Sequence, residues 1–135
     1  MKVQLIGAIL LISMSQFSSA AFAKPDSCPS ISALKAVGVT QIVHDEGLWY
    51  GAVQSAKYDT NDNWTFTIGQ FEAKNEHEAK AQALNALSSL TLEQGPVSFT
   101  VEGIDSSICL YKDHAGHTAG TVTPIMNISS KFLKF

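Results

Sequence analysis

The sequence predicts an α+β fold: an antiparallel sheet of about five strands, a short N-terminal helix and one long helix, in the order α-β-β-β-α-β-β-(β). Three observations carry this. Leu48–Tyr58 and Trp64–Phe71 are two runs rich in aromatic and β-branched residues, joined by the polar turn Asp59-Thr60-Asn61-Asp62-Asn63. Such residues suit a pleated, half-buried surface, and a short Asx-rich interruption between two such runs signals a hairpin. Downstream, Ala79, Ala83, Leu87 and Leu90 recur at helical spacing, and further on Val97, Phe99 and Val101 alternate with Ser98, Thr100 and Glu102. The change from a helical period to a period of two marks a helix followed by a half-buried strand.

In chain order, Met1 to Ala23 has the form of an export signal. Lys2 is a minimal positive start, Val3–Met14 is mostly apolar, and Ala21-Phe22-Ala23 fits the small-x-small cleavage pattern. Polar residues from Ser13 onward break the apolar run well short of the about 20 residues that a spanning helix needs. Residues 24–135 are then one mature domain, periplasmic or extracellular, with no membrane span after cleavage. Ser30 is a natural N-cap for a helix through Ile31, Leu34 and Val37, and Gly38 is a natural residue to end it. Val39–Val43 reads as the first strand, followed by the hairpin. The long helix is expected over Glu72–Leu92, with Asn75 and Glu78 at capping-box spacing and Gly95-Pro96 as its stop. Val97–Val101 and Ile108–Lys112 are the next strands, with a turn at Gly103–Ser106 between them. Thr121–Ile128 is an optional last strand, and Ile128–Phe135 a short amphipathic tail.

Charge limits the function classes. The chain has nine Lys and no Arg against twelve Asp and Glu, and cleavage of the signal removes one of the nine. Phosphate recognition relies on clustered Lys and Arg, so no nucleic-acid partner is expected. Two cysteines in an exported chain point to one disulfide, Cys28–Cys109, closing nearly the whole domain. No nucleophile elbow, phosphate-binding loop or dinucleotide fingerprint is present, and no enzyme is expected.

The sharpest chemical constellation is Asp113-His114-Ala115-Gly116-His117. Two imidazoles three residues apart can reach one metal, since neutral His is a common ligand, with Tyr111, Asp113 or Met126 as a possible third. The structural alternative is a pair of solvated loop histidines. Asp59-Thr60-Asn61-Asp62-Asn63 begins like a calcium loop, but Trp64 stands where Gly is needed and Gln70 where the bidentate Glu belongs. An Asx-rich turn is the expected reading there.

With the signal, Ser27-Cys28-Pro29 at the start of the mature chain, the Trp49-Tyr50-Gly51-Ala52-Val53 strand and the late Cys109, the layout resembles a group of small exported bacterial proteins. That group is largely classed as a domain of unknown function, and some members are described as hemin-binding proteins of intracellular Gram-negative bacteria. The resemblance implies heme binding. The residues through which this chain permits it are His114, His117 and Tyr111, with Lys112 the cation beside the loop. The competing expectation is a cofactor-free module that docks a protein partner through a sheet face or edge, since both faces of Leu48–Tyr58 carry apolar or aromatic groups.

Overall fold

The computed structural model describes Pro25 and residues 27–129. The expected export signal, Met1–Ala23, and all but the first two residues of the expected tail, Ile128–Phe135, lie outside the described residues. Among the described residues two helices and six strands follow in the order α-β-β-β-α-β-β-β: α1 (Ile31–Val37), β1 (Gln41–Asp45), β2 (Leu48–Ala56), β3 (Trp64–Phe71), α2 (Glu76–Leu87), β4 (Thr91–Val101), β5 (Ile104–Lys112) and β6 (Thr118–Thr123). All pairings are antiparallel, and the sheet order is β1-β2-β3-β6-β5-β4. The sheet thus has six strands rather than about five. The strand expected at Thr121–Ile128 forms instead at Thr118–Thr123 and lies in the middle, joining the first hairpin to the last.

One face of the sheet is built in rows that follow from strand alternation. Val53, Phe66, Thr121 and Cys109 are successive cross-strand partners, and so are Gly51, Ile68, Ala119 and Tyr111. Nearly all these residues are fully buried. Helix α2 packs on this face, with Ala79, Ala83, Ala86 and Leu87 buried. A Cβ on Gly51 would come within 3.1 Å of the Ala83 Cβ, so the missing side chain is what lets the helix lie so close. The expected small-residue stripe on the helix therefore meets a glycine on the sheet.

The helix is shorter than expected at both ends. Asn75 is its N-cap, accepting from the Glu78 N–H at 2.8 Å, which satisfies a donor that the first turn leaves open. At the other end the Ser88 hydroxyl donates to the Asn85 carbonyl and that of Ser89 to Ala86. Hydroxyls bonding back to the preceding turn compete with helix propagation. The chain is extended again from Thr91, and Gly95-Pro96 lies inside β4, in the region where its register against β5 shifts.

Two tight turns set hairpin registers. Glu46 and Gly47 have φ of 51° and 82°, and Glu102 and Gly103 have 49° and 80°. Positive φ at both central residues is the type I′ geometry, whose twist matches that of the flanking strands. The second of these turns replaces the longer one expected at Gly103–Ser106, so β5 starts at Ile104.

The opposite face is crossed at one end by the segment after β6. The Met126 N–H donates to the Thr65 hydroxyl at 2.9 Å, and the Gln54 side-chain amide donates to the Met126 carbonyl. Tyr50, Ala52, Gly51 and Val53 are all buried, so neither face of the middle of β2 is free. The exposed large apolar residues sit elsewhere, with Phe99 and Ile104 both on the β4–β5 hairpin. Cys28 and Cys109 form the expected disulfide, which fixes the segment before α1 to β5 and is consistent with an oxidising, exported environment. No described helix is long and apolar enough to cross a membrane.

Candidate functional site

The candidate loop is the next row of the same sheet face. Asp113 lies two residues beyond Tyr111 on β5, and His117 two residues before Ala119 on β6, so alternation points both to the side that Tyr111 and Ala119 occupy. The Asp113 N–H donates to the His117 carbonyl at 3.1 Å, extending the ladder by one step, and the Gly116 N–H donates to the Asp113 carbonyl at 3.3 Å. Gly116 has φ of 91°, a backbone conformation that side chains disfavour, and this lets the loop close within so few residues.

Asp113 then binds His117 twice. Its Oδ1 accepts from the His117 backbone N–H and its Oδ2 is bonded to the ring Nδ1, each at 2.7 Å. The Asp113 side chain is only 4% exposed, while that of His117 is 34% exposed. Burial pushes the Asp113 carboxyl up, but the ring and backbone bonds from His117 outweigh it and hold the group below its ordinary value. The imidazole also meets the Phe71 ring, at 4.8 Å between centroids and tilted by 42°. One ring nitrogen is thus committed to a buried carboxylate, the Phe71 ring packs against the imidazole, and Nε2 is the atom left to act. A carboxylate on Nδ1 selects the neutral tautomer with its lone pair on Nε2, the arrangement found in metal-ligating histidines.

The other residues singled out in the sequence fall in different places. The backbone N–H of His114 donates to the Ser89 hydroxyl at 3.2 Å, and its side chain is exposed at the loop tip. Tyr111 is 1% exposed, and its hydroxyl donates to the Pro29 carbonyl at 2.7 Å. Burial pushes that hydroxyl up to about 12. It fastens the N-terminal segment to the sheet beside the disulfide, and although it lies on the same sheet face as His117 it is committed to the core. Lys112 is exposed and, as the neighbour of Tyr111 on one strand, leaves on the opposite face. The loop therefore gathers Asp113, His117 and, at its tip, His114, but not Tyr111. Met126, the other possible third ligand, lies over Thr65 at the far end of β3. No cluster of three or more His, Cys, Asp or Glu suited to a metal occurs among the described residues.

Sequence reasoning missed Phe71 as a partner of the site, and the row of rings behind it. Phe71 closes β3 and reaches His117 only because β6 inserts beside β3. Across the sheet the row continues: Phe71 is the cross-strand partner of Trp49, and Trp49 is stacked on His44 with centroids 4.0 Å apart and rings 1° from parallel. The Trp49 indole N–H donates to the Ala73 carbonyl at 3.0 Å, which locks the row to the entry of α2. His44 and His117 thus end one row of rings. Three inter-strand steps of about 4.7–4.9 Å put them roughly 14 Å apart, too far to share one metal ion.

The Asp59–Asn63 segment is a turn closed on itself and on α1. The Asp59 Oδ1 accepts from the Ser30 N–H, and the Thr60 hydroxyl accepts from the Trp64 indole at 2.8 Å. Grooves lined by described residues include one of about 680 Å³ along Gln41–Val43, Gln54 and Asn127–Ile128 and another of about 410 Å³ around Cys28, Pro29, Leu92 and Pro96. Neither is lined by His114 or His117. The chain matches no family model, no curated protein and no solved structure.

Proposed function

We propose that the chain is a small exported binding protein that takes hemin, with His117 as its iron ligand. The observation that carries this reading is the pair of 2.7 Å bonds by which nearly buried Asp113 holds His117. A solvated loop histidine has no need of a buried carboxylate on Nδ1, whereas an iron-ligating imidazole gains orientation and donor strength from one. The donor set suits the group: neutral imidazole is a common axial ligand to heme iron. Iron would supply the ligation chemistry, and the chain supplies the Nε2 of an imidazole held by Asp113, the Phe71 ring against that imidazole, and His114 at the loop tip. Tyr111 and Lys112 have no part in this reading, because the first is committed to the core and the second projects from the other face.

The test is a hemin titration followed by the Soret band. His117→Ala is expected to abolish the shifted band, Asp113→Asn to weaken binding by about 10–100-fold as loss of an outer-shell partner does, and His114→Ala to change little. Absence of saturable binding by the native sequence rejects hemin, and equal spectra for native and His117→Ala reject this loop as the site.

A second reading is a cofactor-free module that docks a polypeptide. It is favoured by the exposure of Phe99 and Ile104 on the β4–β5 hairpin, far from the aromatic residues that the core consumes.

A further inference from the structure

Among the described residues β4 is one of the two edges of the sheet. An edge strand offers unpaired N–H and C=O groups to any extended chain, and stable proteins blunt such edges with charge, proline or a bulge. The two halves of β4 differ in this respect. Its first half carries Glu93 and Pro96, and its register against β5 shifts between Leu92 and Val97. Its second half, Val97-Ser98-Phe99-Thr100-Val101, has no charge and no proline, and it pairs residue for residue with Ile108 to Ile104. This half is therefore regular in register and undefended.

The undefended half is also symmetric in side-chain chemistry. Read from either end it runs aliphatic, hydroxyl, aromatic, hydroxyl, aliphatic. Two copies laid antiparallel about Phe99 set Val97 opposite Val101 twice, Ser98 opposite Thr100 twice, and Phe99 opposite itself. Aliphatic, hydroxyl and aromatic matches are among the cross-strand pairs that stabilise antiparallel sheets. In this register Glu102 falls opposite Pro96, so no like charges meet. Val97, Phe99 and Val101 share a face with Ile104 and Ile108 across the hairpin. On that face Phe99 is 37% and Ile104 56% exposed. Pairing two hairpins joins their apolar faces into one and covers Phe99 with its own copy.

We propose that two copies of this chain associate edge to edge through Val97–Val101, antiparallel about Phe99, to give a continuous sheet across a two-fold axis. A closed two-fold pairing of this kind is isologous and cannot propagate from the same edge. The proposal gives the second reading above a definite partner, and it uses no residue of the hemin reading. Five paired residues cover less than the roughly 800 Å² per partner of a standard interface, so the dimer is reversible.

Sedimentation velocity from micromolar to millimolar protein tests it, together with cysteine cross-linking under mild oxidation. The native chain is expected to shift from monomer to dimer over that range. Phe99→Lys sets like charges directly opposite each other and is expected to weaken the dimer about tenfold or more, with the melting curve unchanged. Phe99→Cys is expected to link to itself, and Val97→Cys to link to Val101→Cys but not to itself. This cross-linking pattern decides the matter even if Phe99→Lys folds poorly. A native chain that stays monomeric throughout, or cross-links in another register, overturns the proposal. A monomer that binds a different polypeptide at Phe99 would overturn self-pairing and leave the second reading standing.

Discussion

Asp113 holds His117 at two points, the ring Nδ1 and the backbone N–H, each at 2.7 Å, from a carboxylate that is almost entirely buried. The same side chain thereby closes the β5–β6 hairpin and fixes an imidazole. The two effects separate with pH. The folded Asp113 carboxyl lies below its ordinary value, so at low pH the unfolded chain takes up this proton first. Its contribution to stability is complete above the unfolded value of about 3.9 and is lost as pH falls through the depressed folded value. Urea unfolding of native protein and Asp113→Asn is expected to differ by about 1.5–3 kcal/mol at neutral pH, the range for hydrogen bonds to charged groups. That difference should shrink as pH drops from about 5 toward 2. A pH-independent difference would mean that the carboxylate charge is not what stabilises the turn.

The disulfide and Tyr111 fasten the same segment. Cys28 is bonded to Cys109 on β5, and two residues further along β5 the Tyr111 hydroxyl takes the Pro29 carbonyl. The cysteines are 81 residues apart, and the chain-entropy model gives roughly 4–5 kcal/mol for closing such a loop. Reduction is therefore expected to lower the thermal midpoint markedly. Non-reducing peptide mapping should recover Cys28 and Cys109 in one linked species. Free labelling of both thiols in natively purified protein would contradict this pairing.

What the sequence made legible and what it hid divide along one physical line. Contacts made within an element or between neighbours in the chain were readable. The Ser30 and Asn75 caps, the Ala stripe of α2 and the Trp64–Phe71 strand all follow from local spacing and side-chain chemistry. Contacts that depend on sheet order were not. Nothing in the local pattern says that β6 enters between β3 and β5, and that insertion alone brings Phe71 to His117. The His44–Trp49 stack is closer to hand, since a two-residue turn at Glu46-Gly47 sets those positions opposite each other. Recognising that turn from its glycine would have placed the pair. The end of α2 falls short of Leu92 because hydroxyls at Ser88 and Ser89 override an apolar period that continues to Leu90.

The close approach of helix and sheet at Gly51 gives the last prediction. A Cβ on Gly51 would lie 2.8 Å from Val39 Cγ1 and 3.1 Å from both Ala83 Cβ and Ile68 Cγ2. Ala83 is on α2, Ile68 on β3, and Val39 in the segment entering β1, so the intruding methyl would press on three separate parts of the core at once. None of them is the free end of a long side chain that can swing away. Gly51→Ala is expected to destabilise the fold by about 1–3 kcal/mol, the usual cost of overpacking a filled core. Ala is otherwise the better residue in a strand interior, where Gly costs backbone entropy, so a neutral or stabilising result would mean that α2 sits further from the sheet. The compensating change is Val39→Ala, which clears the nearest atom. The double variant should recover part of the loss if the clash is steric, with coupling between the two sites of about 0.5 kcal/mol or more in a double-mutant cycle. Additive losses would place the two residues out of contact and remove Gly51 as the point on which the helix is seated.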